Sequence, residues 1–350
     1  MTNSPVRPAL SALMLGLLLL TSGVGPGAAP AAASPPKQMV ELKFGLQRTM
    51  AIAAVFVGLD KGYFAEQGID LQFEALTAGS DILTQVGAGN LHAGTGSGAA
   101  LYNAFNRGLD IKVLAPTQAN HPIGPAANTV LVRSDLMDSG QVRSPVDLRG
   151  RTVAVNARGV ASEYAVDLIM REDGATVDDV ELVTIPFPDM PTALANGAID
   201  AAWLPEPYIR QAESLGVARR IAPNSPAGEQ ITVTFINTAY VRANPGVDVG
   251  LMTGILKASR DLYGEGWDQP EHIQILAKYT LLSPEVIRTS VRPYLDPNGR
   301  IDLEGLDRQQ RYFIAHGQLQ YRDPIPVANL VDQSAAQEAV RRLGGEFVPR

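Results

Sequence analysis

The sequence predicts an α/β protein of two similar lobes, each a mostly parallel sheet flanked by helices, joined by a two-stranded hinge. Strand-like and helix-like segments alternate through residues 41–215, the pattern of parallel strands covered by helices. The pattern is also written twice. QVGAGNLHAGTGSGAAL (85–101) overlays ALANGAIDAAWLPEPY (193–208), so that Gly89 falls on Gly197, Leu91 on Ile199, His92 on Asp200 and Ala93 on Ala201. Finally, two extended apolar stretches, NTVLVRSD (128–135) and EQITVTFINTAY (229–240), follow the first and second units. They read as the crossings into lobe two and back.

In the first unit ELKFGLQ is a strand, and the small residues of TMAIAAVFVGLDKGYFAEQG form a helix ending at Gly62 and Gly68. IDLQFEAL alternates Ile69, Leu71 and Phe73 as a second strand. Ser80 is placed to cap a helix that Gly89 and Asn90 end, and LHAGTG, SGAALYNAFNRG and DIKVLAP follow as strand, helix and strand. The second unit runs DLRGRTVAVN, GVASEYAVDLIMREDG, VELVTIPF, DMPTALANG, IDAAWL and EPYIRQAESLG, again strand then helix throughout. The repeated glycines suit helix ends that stop in the left-handed conformation, so the duplicated phrases read first as packing and turn residues. From Val241 onward the chain is mainly helical, and it is expected to pack back on lobe one. The predicted boundaries are 41–130 and 238–350 for lobe one, and 131–237 for lobe two.

Residues 1–33 read as a secretory leader, with Arg7, an apolar run from Ala9 to Leu20, and small residues ending at Ala31-Ala32-Ala33. The run is shorter than the roughly twenty residues that a membrane span needs. Residues 34–40 read as a linker. The expected location is therefore periplasmic or otherwise extracytoplasmic, without stable membrane insertion once the leader is cut. The absence of Cys excludes a lipoprotein anchor, disulfides and Cys-ligated metals. The formal charge is −7, and cleavage would remove only Arg7, so the surface argues against nucleic acid as a partner.

Two-lobed α/β proteins hold small molecules outside the carboxyl ends of their strands, which selects the strand-to-helix loops. Lobe one offers Arg48 and Met50, then Ser80 and Asp81, then Gly96, Ser97 and Gly98. Lobe two offers Arg158, Ser162 and Glu163, then Asp189, then Trp203 and Glu206. Helices opening near Ser80, Ser97 and Ser162 would aim unpaired N–H groups at one cleft, which suits an oxyanion. Arg48 and Arg158 would clamp an anion, whereas Glu163 and Glu206 would repel one and receive an amine or a ring N–H. Trp203, Phe187 and Tyr208 offer aromatic faces. GTGSGA formally fits a dinucleotide fingerprint, but no acidic residue closes the following strand, and the stretch makes no nucleophile elbow. His92, His121, His272 and His316 are scattered without metal-ligand spacing. The expectation is no catalytic residue, no metal and no cofactor.

The segments GLDKGYFAEQGIDLQFEALTAGSDILTQVGAGNLHAGTGSGAAL and DLRGRTVAVNARGVASEYAVDLIM…FPDMPTALANGAIDAAWLPEPY resemble the periplasmic binding proteins of ABC importers. Within them the likeness is to the group of sulfonate, taurine and nitrate binding proteins and NMT1/THI5-like proteins. It is close over residues 40–240 and looser beyond, where KASRDLY and LDPNGRIDLEGL are typical of the group. His92 departs from it, standing where an acidic residue is expected. The resemblance implies a type II binding-protein fold that closes on its ligand like a flytrap. It implies a monomer that captures a small organic solute, with slight preference for a sulfonate or carboxylate, and delivers it to an ABC permease and its ATPase. Two other readings stay open: an enzyme on the same fold acting on a small aromatic or menaquinone-type precursor, and a ligand-sensing partner of a membrane receptor.

Overall fold

Strands β1 (Val40–Leu46), β2 (Ile69–Ala75), β3 (Ala93–Gly96) and β4 (Ile111–Ala119) come first in a computed structural model that describes residues 39–349. β5 (Asn128–Arg133), β6 (Thr152–Val155), β7 (Glu181–Thr184), β8 (Ala201–Pro205), β9 (Ala218–Arg220) and β10 (Gln230–Asn237) follow. The expected leader and nearly all of the expected linker lie outside the described residues, and Val40 already belongs to β1. Among the described residues no helix is long and apolar enough to cross a membrane.

The strands form two five-stranded sheets, in the orders β2-β1-β3-β10-β4 and β7-β6-β8-β5-β9. The orders are the same arrangement used twice. In each sheet the first three strands are parallel, and the fourth is antiparallel to its neighbours. The expected parallel units are therefore present, with one correction to the hinge. The stretches 128–135 and 229–240 are not the crossings: they hold β5 and β10, the antiparallel fourth strands. The chain crosses instead through 120–127 and 221–229, where Asn120 N–H donates to Glu229 O at 3.0 Å and Ala126 N–H to Pro223 O at 2.7 Å. An apolar run reads alike as a crossing or as a buried strand, and five of the six residues of β5 are buried.

Small residues bring the helices of lobe one unusually close to its sheet. A Cβ on Gly94 would lie 2.4 Å from Ile82 Cγ2, and one on Gly79 would lie 2.9 Å from Gly96 Cα. The helix Gly79–Gly87 thus rests directly on β3, which is buried along its whole length, and its first turn reaches the strand end. The two phrases of the repeat occupy matching places. Gly89 and Gly197 both sit at positive φ, at 78° and 75°, and Leu91 and Ile199 begin buried segments just beyond.

The C-terminal third packs only in part as expected. The helix Val247–Asp261 lies against the helices Ala53–Asp60 and Tyr63–Glu66 of lobe one. The helix Leu303–Ala315 instead touches Ala99–Asn106 in lobe one and Ala161–Arg171 in lobe two. Beyond it, Gln318 donates to Glu163 at 2.7 Å. A helix facing both lobes has the same apolar periodicity as one facing a single lobe, so the sequence does not distinguish them.

Candidate functional site

A cavity of about 40 Å³ lies between the two sheets, at the carboxyl ends of the parallel strands. Lobe one closes it with Gln47 and Thr49 after β1, Gly79 after β2, Ser97 after β3, Gln118 near the end of β4, and Thr232 at the start of β10. Lobe two adds Asn128 on β5, Asn156 after β6, Phe187 after β7 and Trp203 on β8. A single water occupies roughly 10–15 Å³ on this measure, so the space suits a compact head group. None of the lining residues carries a formal charge.

Three of these side chains hold buried polar atoms without a hydrogen-bond partner: Gln118 Nε2, Trp203 Nε1 and Thr232 Oγ1. Gln118 and Trp203 are 1% and 3% exposed. A buried donor left unpaired costs about 1–3 kcal/mol, and the three residues that hold these atoms line the same cavity. The Gln118 amide is oriented by its neighbours. Asn120 Nδ2 donates to the carbonyls of Asn128 and Pro226, which turns Asn120 Oδ1 toward Asn128. Asn128 Nδ2 then donates to Asn120 Oδ1 and, at 3.1 Å, to Gln118 Oε1, leaving the Gln118 NH₂ as a free donor. Because Asn120 and Pro226 lie on the two crossing segments, this amide relay also ties the hinge to the cavity.

Three helices begin at the cleft, Gly79–Gly87, Ala99–Asn106 and Ala161–Arg171, and none has a side-chain cap. Ser80, the expected cap, lies two residues beyond the actual N-cap. The N-caps are Ala78, Gly98 and Val160, while Ser80 and Ser162 lie inside their helices. Ser162 donates its hydroxyl to Asn156 Oδ1 at 2.8 Å. Gly98 stands at φ 109° with its backbone against lobe two, and a Cβ there would lie 2.3 Å from Gly159 O. Ala99 N–H donates to that same carbonyl at 2.8 Å. The lobes therefore meet backbone to backbone, which only glycine at 98 permits.

Of the thirteen residues expected at the site from sequence, the cavity wall brings together Gly96, Ser97, Ser162 and Trp203. Arg48 lines a neighbouring outer cavity, and Met50 is fully buried below it, its N–H donating to Glu206 O across the cleft. Gly98 makes the lobe contact just described. Ser80, Asp81 and Asp189 lie outside the wall, the last two exposed. Glu163 is fully buried and held by Arg158 at 3.2 Å, by Gly159 N–H at 2.7 Å and by Gln318, so Arg158 and Glu163 spend their charges on each other. Glu206 is likewise taken: Arg220 pairs with it at 2.6 Å, and the N–H groups of Val291 and Arg210 donate to it. Burial pushes the Glu206 carboxyl up, and Arg220 pulls it back. Tyr208 donates to Arg48 O at 3.0 Å, and burial pushes its hydroxyl up to about 12, so it remains a donor. Sequence reasoning missed Gln118, Asn128 and Thr232, whereas Asn156 opens the lobe-two loop that it selected. The signal available was a run of amides and hydroxyls, TQAN (117–120), continuing an apolar strand.

The family model for NMT1/THI5-like proteins matches residues 49–265. A riboflavin-binding protein, RibY, from Chloroflexus aurantiacus is 27% identical over 51% of this chain, and the match spans 52% of that protein. A putative aliphatic sulfonates-binding protein from Bacillus subtilis is 24% identical over 67% of this chain and 68% of its own length. Among solved structures, the alkanesulfonate-binding protein SsuA from Xanthomonas axonopodis pv. citri, bound to MOPS, superposes with a TM-score of 0.69. It is 19% identical, and the superposition covers 86% of this chain and 99% of that one, a likeness of fold. The two sheets with their shared strand order are thus the two-lobed fold of periplasmic binding proteins. The chain belongs to the NMT1/THI5-like family.

Proposed function

We propose that this protein is the exported solute-binding component of an ABC importer, capturing a small organic solute with an oxyanion head, a sulfonate or carboxylate, in the interlobe cleft. One observation carries the reading: residues of both lobes that hold buried, unpartnered polar atoms line one uncharged cavity. Gln118 and Thr232 come from sheet one and Trp203 from sheet two, so the donor set is complete only when the lobes are together. A solute that needs all three holds the lobes closed and shifts the population that way. The closed shape is what a permease and its ATPase would read, on surfaces contributed by both lobes.

Uncharged donors suit this task. An oxyanion accepts from N–H and O–H groups and from helix N-termini without a buried counter-charge. The inner cavity also releases the head group readily, because no desolvated ion pair has to be broken there. The lining residues include no His, Lys or carboxylate to move a proton, so the reading contains no chemical step. The names of the sulfonate-binding relatives agree with it.

A thermal-shift screen with sulfonates, carboxylates, nitrate, riboflavin, pyrimidines and organic cations tests the reading. A solute at a hundred times its Kd adds roughly 2.7 kcal/mol of stability, several degrees in Tm. Stabilisation by sulfonates or carboxylates, and not by cations, is the expected result. Stabilisation by cations alone would overturn it.

A further inference from the structure

We infer that the cargo is two-ended, with an acceptor head in the inner cavity and a second, anionic group at its far end that pairs with Arg48. The inference rests on the solute-binding reading and specifies the solute.

Gln47, Thr49 and Phe187 line both the inner cavity and an outer one of about 170 Å³, so the two share a wall. Arg48 lines only the outer cavity, and among the described residues it is the only charged one lining either. Much of the outer wall is carbon, from Leu76, Pro186 and Pro188 together with Phe187. A short carbon chain that leaves the head past Gln47, Thr49 and Phe187 would meet this apolar surface and end beside one cation.

That cation is held in place and left unneutralised. Arg48 Nη1 donates to Tyr279 O at 2.5 Å, and the guanidinium lies 5.4 Å over the Phe73 ring, which packs edge-on against Tyr279. Among the described residues Arg48 has no carboxylate partner. The other arginines near the cleft do: Arg158 pairs with Glu163, Arg210 with Glu213, and Arg220 with Glu206. A guanidinium fixed by one bond and an aromatic face keeps its remaining N–H donors pre-organised for a planar anion. The same charge would repel the ammonium end of an amino-sulfonate, so the cargo is a sulfo-carboxylate or dicarboxylate type of solute and not a zwitterion.

Isothermal titration of the full chain with methanesulfonate, propanesulfonate, sulfopropionate and homotaurine tests this. Sulfopropionate is expected to bind about tenfold tighter than propanesulfonate, the size of one charge-assisted contact, with homotaurine weakest of the three-carbon series. Arg48→Gln should bring sulfopropionate to the affinity of propanesulfonate. Equal binding of sulfopropionate and propanesulfonate, or a gap that survives Arg48→Gln, would overturn the inference while methanesulfonate binding keeps the solute-binding reading standing. If no sulfonate binds, the sulfonate head falls, and succinate against butyrate makes the same comparison for a carboxylate head: equal binding of those two, or binding of neither, overturns the inference. The wild-type comparison needs no variant, so it stands even if Arg48→Gln folds poorly.

Discussion

His92 in lobe one and Asp200 in lobe two stand at matching places beyond left-handed glycines, and they do the same work with different chemistry. His92 Nδ1 accepts from Lys43 N–H at 3.1 Å while its own N–H donates to Lys43 O at 2.9 Å. Asp200 Oδ2 accepts from Thr152 N–H at 3.1 Å while its N–H donates to Thr152 O at 2.9 Å. Lys43 lies on β1 and Thr152 on β6, the equivalent strands. A neutral imidazole thus substitutes for a carboxylate wherever the requirement is one acceptor. A few residues further on, the lobes part. Lobe one has Gly96-Ser97-Gly98, bare backbone that lets Gly159 approach. Lobe two has Trp203 with its free N–H, then Glu206 locked to Arg220. The duplicated scaffold keeps its backbone-satisfying roles and diverges where the cleft begins.

The largest effect should come from the feature that lobe one lacks. Arg220→Met leaves Glu206 buried without its cation, and breaking such a pair costs about 3–5 kcal/mol, visible as a lowered denaturation midpoint. A loss under about 1 kcal/mol would mean that the Val291 and Arg210 N–H groups suffice to hold the carboxylate.

Gly98→Ala should come next, because its methyl group would meet Gly159 O and keep the lobes apart. Overpacking of this kind costs roughly 1–3 kcal/mol, ten- to hundredfold in solute affinity by titration. Gly89→Ala is the control: it has the same sign of φ and nothing within 4 Å of the added carbon, so it should carry the backbone strain and leave affinity alone. Equal affinity losses in the two variants would separate Gly98 from closure.

Trp203→Phe keeps a ring and removes the indole N–H, and should weaken an oxyanion solute by about tenfold, one hydrogen bond to a charged acceptor. Unchanged affinity would remove Trp203 from the donor set.

The smallest effect should be His92→Asp, which writes the lobe two residue into lobe one. Burial, with Lys43 nearby, lowers the His92 pKa below its ordinary 6.5. A folded pKa below the unfolded one means that the unfolded chain binds more protons in between. The His92 contribution is therefore complete above pH 6.5 and is lost as pH falls through the folded pKa. Denaturation between pH 5 and 8 should show that acid-side loss in the wild type and less of it in His92→Asp. Parallel profiles would show that His92 is not the group responsible.

Much of this was legible in the sequence because it rests on local rules. The glycines at 89 and 197 marked helix ends, and the apolar alternations marked β1 and β2. The helix starts at the cleft were found to within a turn, although Ala78 caps where Ser80 was expected and the helix expected near Ser162 is capped by Val160. What was not legible is long-range. The fourth strand of each sheet arrives from the other lobe, so β5 and β10 looked like crossings, and the donors Gln118 and Thr232 beside them were passed over. Glu163 and Glu206 drew notice as loop carboxylates, but their arginine partners settle them into packing. Sequence spacing shows that a charge is present and not whether it is already neutralised.

The most direct test of the shared donor site uses the fact that the chain has two tryptophans. Trp267→Phe leaves Trp203 as the sole indole reporter, on the cavity wall. Titration with an organosulfonate should change the Trp203 emission saturably, at the same midpoint as the heat of binding, and an organic cation of equal size should leave it unchanged. Binding heat with flat Trp203 emission would place the solute elsewhere and contradict a cleft built from the donors of both lobes.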